Sequence, residues 1–137
     1  MSEEFKLPAF NFLGYNIQQI ILKRLGNEQI EEIKIAITSA KYDENHKIYS
    51  LVINLNIDFT NSKNSLIEIL GGFKINDESI LDNQDAINSI FAASLFPYIR
   101  TTLQLITSDD RPNIVIPTLD LRYLNLTNGI SIKPNKH

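Results

Sequence analysis

Leu51-Val52-Ile53-Asn54-Leu55-Asn56-Ile57-Asp58-Phe59 alternates large apolar side chains with polar or smaller ones. Successive side chains of a strand point to opposite faces, so this stretch reads as a β-strand with Leu51, Ile53, Leu55, Ile57 and Phe59 on one apolar face. Downstream, Asn61-Ser62-Lys63-Asn64 is a polar turn, and Leu66–Ile75 is a further extended run broken by Gly71-Gly72. The two runs predict an antiparallel hairpin. Upstream, Ile33, Ile35 and Ile37 alternate with Lys34, Ala36 and Thr38, and the polar stretch 41–47 separates them from Leu51. Phe10–Leu25 is the first extended segment, with Pro8 before it, Gly26-Asn27 as the turn after it and Gly14 as a bulge or bend. Four consecutive strands with short polar connections predict an antiparallel meander.

Beyond Asp82 the period changes. Ala86, Ile87, Ile90, Phe91, Ser94 and Leu95 recur at spacings of three and four, which predicts a helix capped by Asp82 or Asn83. Proline is poorly tolerated inside a helix, so Pro97 marks a boundary or kink near Leu95. Ile99, Leu103 and Ile106 then form the stripe of a second helix, ending at Ser108-Asp109-Asp110-Arg111-Pro112. A short β-branched run, Ile114-Val115-Ile116, precedes Pro117; Leu119–Leu126 alternates weakly, and the tail is polar. Strands first and helices afterwards is the α+β pattern, here in a single domain spanning 1–137.

Composition narrows the function. The chain has 137 residues, 43% of them hydrophobic, with a formal charge of -3, so it can bury a core and carries no basic run suited to nucleic acid. Cysteine is absent, which removes thiolate nucleophiles, thiolate metal sites and disulfides. Met1-Ser2-Glu3-Glu4 lacks the basic flank of a signal peptide, and no apolar run approaches the roughly 20 residues of a membrane helix, so the expectation is a cytoplasmic protein without membrane insertion.

Residues that could carry chemistry are few. Of the two histidines, His46 sits in a polar turn and His137 ends the chain. Gly71-Gly72 lacks the spacing and lysine of a phosphate loop. The acid pairs Glu31-Glu32 and Asp109-Asp110 are adjacent in sequence, so on a strand their side chains diverge. No enzyme, metal or cofactor is expected. What stands out is aromatic content: Phe5, Phe10, Phe12, Tyr15, Phe73, Phe91, Phe96, Tyr98 and Tyr123 are many for one small sheet and its helices. One reading is core packing throughout; the other is that some line an exposed groove or a subunit interface, since contiguous exposed apolar surface marks binding sites.

Ser94-Leu95-Phe96-Pro97-Tyr98-Ile99-Arg100, followed by Arg111-Pro112 and Ile116-Pro117, resembles the SecB export chaperones and their Leu-Phe-Pro-Tyr-x-Arg motif. Glu68-Ile69-Leu70-Gly71-Gly72-Phe73 is similar to the family's closing of the fourth strand, and Glu32-Ile33-Lys34-Ile35-Ala36-Ile37 to its second strand. Together these stretches cover residues 30–124. Phe96 and Tyr98 also have a purely structural reading, in which they staple a helix to the sheet.

The resemblance implies a four-stranded antiparallel sheet with helices on one side, assembling as a homotetramer, a dimer of dimers. It implies a holdase that binds unfolded polypeptide or preprotein in apolar grooves, without nucleotide. Ile33, Ile35, Ile37, Leu70, Phe73, Phe91 and Leu95 are the groove candidates carried over from it. Glu32, Asp58 and Glu68 would supply an acidic face for the SecA motor. The family's terminal helix and acidic tail have no counterpart in the stretch ending Lys133-Pro134-Asn135-Lys136-His137, which sets export coupling apart from the chaperone reading. The alternatives are a dedicated chaperone of one partner, such as an antitoxin, and an assembly module whose apolar faces serve only its own oligomer.

Overall fold

The computed structural model describes residues 8–23, 29–107 and 129–133. Five strands, β1 (Phe10–Ile21), β2 (Ile30–Asp43), β3 (Ile48–Phe59), β4 (Ser65–Ile75) and β5 (Ile130–Ile132), form one antiparallel sheet in the order β1-β4-β3-β2-β5. A 3-10 turn, Glu78–Asp82, leads into one helix, α1 (Gln84–Thr107), which packs on β3 and β4. The general α+β class is therefore as expected, with five strands among the described residues where four were expected and one α-helix where two were. Ile114–Ile116, Leu119–Leu126, the turn at Gly26-Asn27, Phe5, Tyr123 and His137 lie outside the described residues.

The core is the product of alternation. Leu51, Ile53, Leu55, Ile57 and Phe59 of β3 and Ile67, Ile69, Phe73 and Ile75 of β4 all face the helix, and all are buried. On α1 the i, i+4 series Ile87, Phe91, Leu95, Ile99 and Leu103 meets them. Ala86, Ile90 and Ser94, part of the same sequence stripe, fall instead on the outer side of α1, and Ile90 is 49% exposed. The helix begins where Asn83 Oδ1 accepts the Ala86 N–H at 3.2 Å, an N-cap.

Four sequence expectations are corrected. β1 does not continue the meander; it pairs with β4 at the far side of the sheet. The cause is aromatic packing: Phe10 and Phe12 lie 6.1 and 5.3 Å from Phe73 by ring centroid, and Phe10 lies 4.9 Å from Phe91. These contacts require β1 beside β4. At the β3–β4 turn the Lys23 N–H donates to Ser65 Oγ at 2.9 Å and the Thr60 N–H to the Gln29 carbonyl at 2.9 Å.

The helix also runs unbroken through Pro97. Proline inside a helix costs about 3 kcal/mol. Its ring here lies on the exposed side, while Leu95 and Ile99 on either side are fully buried, so burial of the continuous stripe outweighs that cost. Gly71-Gly72 does not break β4. A Cβ at Gly71 would meet Leu95 Cδ1 at 2.7 Å, so the glycine admits the helix close to the sheet. Finally, the tail is not wholly polar loop, because Ile130–Ile132 adds a strand to β2. Gly14, by contrast, sits at a β-bulge with φ +124°, as its place in the sequence suggested.

Candidate functional site

Six of the seven groove candidates occupy the core. Ile33, Ile35 and Ile37 of β2, Phe73 of β4 and Phe91 and Leu95 of α1 are each 4% exposed or less, so they present no surface to a client within this subunit. Phe73 and Phe91 stack with centroids 4.0 Å apart and their planes 8° from parallel. Tyr49 packs on Phe91 at 5.3 Å, and its hydroxyl donates to Oδ1 of the buried Asn88 at 2.6 Å. Alternation identifies which residues share a face; it does not say whether another layer covers that face. Leu70 is the exception. It points to the opposite, helix-free side of β4, is half-buried, and stands beside Asn16 of β1 and Val52 of β3.

The Leu-Phe-Pro-Tyr-x-Arg stretch takes the structural reading. Tyr98 stacks on Tyr15 at 4.5 Å and on Phe12 at 5.5 Å, clamping the first half of β1 under the helix. Phe96 packs against the core, and the Arg100 guanidinium lies 5.6 Å from its ring centroid, within cation–π range.

Glu32, Asp58 and Glu68 do share the helix-free face. Glu32 is directly opposite Asp58, and Glu68 stands between Asn54 and Gln19. Cations and donors accompany the first two. Glu32 accepts the Ser131 hydroxyl at 2.8 Å and lies 3.4 Å from Lys34 Nζ and 3.9 Å from Lys133 Nζ. The Ser131 hydrogen bond, with the two lysines, holds its carboxyl below the usual glutamate range. Asp58 accepts the Asn64 N–H at 3.0 Å, and Lys63 of the same turn pairs with Glu31. The face is thus mixed in charge rather than strongly acidic.

The apolar surface left open lies on β1, whose Leu13, Ile17, Ile20 and Ile21 were not singled out in the sequence. β1 stands at one edge of the sheet formed by the described residues, and its twelve residues include no charged side chain. Tyr15, Ile17 and Ile20 oppose Gly71, Ile69 and Ile67, so they point to the helix side. Ile17 and Ile20 are nevertheless 42% and 46% exposed. Leu13, 56% exposed at the first bulge, and Ile21, opposite Leu66, present apolar surface on the other side. The signal available in the sequence was the uncharged run Phe10–Ile21 itself, since edge strands are ordinarily protected by charge or proline. An apolar depression on the outer side of α1 is lined by Ala86, Ser89, Ile90, Ala93 and Ser94.

His46 sits in the β2–β3 turn with Nδ1 2.7 Å from Asp43 Oδ2, and that contact is the main reason the Asp43 carboxyl lies below its usual range. Both side chains are more than half exposed, which suits a turn lock. Among the described residues no cluster of three or more His, Asp or Glu side chains could hold a metal ion. No described helix is long and apolar enough to cross a membrane. No family model matches the chain, and neither does any curated protein.

Proposed function

We propose that this chain is a SecB-like holdase chaperone that binds unfolded polypeptide and catalyses no covalent reaction. The observation that carries the reading is β1: an uncharged, half-exposed apolar strand with an unpaired edge among the described residues. Such an edge offers main-chain hydrogen bonds to any extended segment, and its Tyr15, Ile17 and Ile20 offer apolar contact without demanding a sequence. The client surface therefore lies on β1 and around Leu70, not on the buried residues of β2 and α1. By binding the unfolded state, such a protein lowers its free concentration by mass action and so opposes aggregation. The protein works in the cytoplasm as a homotetramer, a dimer of dimers. SecA, where it is a partner, docks on the face carrying Glu32, Asp58 and Glu68.

The test is suppression of aggregation for several unrelated unfolded proteins, together with binding to SecA. Protection of many clients supports the holdase, and SecA binding adds the export role. Protection of a single partner points to a dedicated chaperone, as for an antitoxin. A second reading rests on the same strand: pairing of β1 with β1 of another copy would bury the open edge in an assembly module. A stable oligomer that protects no client favours that reading and sinks the first.

A further inference from the structure

The two ends of the sheet are finished differently. β1 has no outer neighbour among the described residues, whereas β2 is met by β5 at Ile33↔Ile132, Lys34↔Ser131 and Ile35↔Ile130. Three features shape that seat. Gly129 passes so close that a Cβ there would lie 3.2 Å from the Ile35 carbonyl oxygen, so the strand enters through a residue without a side chain. Ile130 packs against the core cluster. The Glu32 carboxylate accepts the Ser131 hydroxyl at 2.8 Å and stands 3.9 Å from Lys133 Nζ. β2 thus reads an added strand as small, apolar and hydroxyl-bearing in succession, with a basic residue two positions on.

The occupant is short. β5 has three residues against fourteen in β2, and from Ala36 to Asp43 the same edge has no partner among the described residues. So few ladder bonds offset little of the entropy of ordering a strand, and such an element opens more readily than the centre of the sheet. A longer extended segment could start at the seat of β5 and continue along β2.

We infer that the outer edge of β2 is a strand-addition site for an extended polypeptide segment with an apolar-hydroxyl-x-basic pattern, which β5 fills as an internal occupant until the segment displaces it. The source of the segment, a non-native client, rests on the holdase reading; the site does not.

Because the chain has no cysteine, Lys34→Cys with Ser131→Cys introduces one pair at directly opposed positions. Opposed Cα atoms in antiparallel strands lie about 4.5–5.5 Å apart, a span a disulfide bridges. The probe is a fluorescent peptide with the sequence of residues 127–134. It should bind the reduced double variant and bind the oxidised form at least ten-fold more weakly. Equal binding to both forms, no binding to the reduced form, or failure of the pair to cross-link would overturn the site. With the unaltered chain, a peptide carrying Asp at the serine position should bind at least five-fold more weakly, because it faces Glu32; equal binding would overturn that recognition.

Reduced, carboxymethylated lactalbumin then serves as a permanently unfolded client. Preference for the reduced variant supports client entry at β2. Equal binding to both forms, where the peptide discriminates, overturns that role and leaves β1 as the client surface. Binding to neither sinks the holdase reading while the peptide result still supports the strand site.

Discussion

β3 and β1 are both twelve-residue antiparallel strands rich in isoleucine, leucine and phenylalanine, yet they meet opposite fates. β3 alternates buried and half-buried residues along its whole length, with a strand on either side and α1 above. β1 is exposed at nearly every residue after Tyr15, has β4 alone as a neighbour among the described residues, and is interrupted by two register shifts. Apolar content is similar; position decides burial. A central strand converts its side chains into stability, whereas an edge strand beyond the reach of the helix keeps them available for a partner.

That contrast can be broken by substitution. The largest effect is expected at the centre: Phe91→Ala removes the ring stacked on Phe73 and packed against Phe10 and Tyr49. It should cost about 3–5 kcal/mol, a large part of the total stability of a small domain. Chemical denaturation measures it, and a loss below about 1 kcal/mol would mean that the layer packs differently.

Gly71→Ala comes next. It drives a methyl into Leu95 and should cost about 1–3 kcal/mol. The two residues touch, so the glycine substitution should be markedly cheaper in a Leu95→Ala background, and additive losses would contradict the close approach. Tyr49→Phe leaves Asn88 Oδ1 buried without its donor, at a cost of about 1–3 kcal/mol in the same denaturation assay.

At the edge the order of consequences reverses. Ile17→Lys with Ile20→Lys should change stability by less than about 1 kcal/mol, because both side chains are already largely exposed. The same pair should abolish client protection or self-association, read by light scattering. Loss of folding would show that β1 is a core strand after all.

The smallest effect concerns β5. The Glu32 carboxyl is held low by Ser131, so its contribution is present above the ordinary glutamate range and is lost as pH falls through the depressed value. Amide exchange of Ser131 and Ile132 should therefore quicken in mild acid, relative to the β3 amides and after allowance for the intrinsic slowing of exchange. A parallel response of β3 would remove Glu32 as the cause.

The parts legible in the sequence are those governed by local periodicity. The alternation from Leu51 to Phe59 gives β3 and its buried face correctly, Asn83 gives the helix start, and Gly14 gives a bulge. What escaped depends on layers the sequence does not order. The place of β1 follows from Phe10 and Phe12 meeting Phe73 and Phe91, contacts between distant parts of the chain. Pro97 reads as a break because propensity counts only the local cost, whereas the burial of Leu95 and Ile99 is tertiary. Burial of the groove candidates other than Leu70 has the same origin: Ile33, Ile35 and Ile37 share a face, and that face is the core. β5 is three residues long, too short for periodicity to register.

The pairing of β1 with β4 has a further consequence on the ribosome. Phe10 emerges early, but its partner Ile75 and the Phe91 that packs on it are synthesised much later. β2 and β3 can form their hairpin in the interval, since their contacts are local, while a strand that must await a distant partner raises the contact order and slows closure. During that wait the nascent chain displays an uncharged, largely apolar segment without its strand partner. It is a segment of the kind that this protein is proposed to shelter in others, so a mature copy already present could bind the one being made.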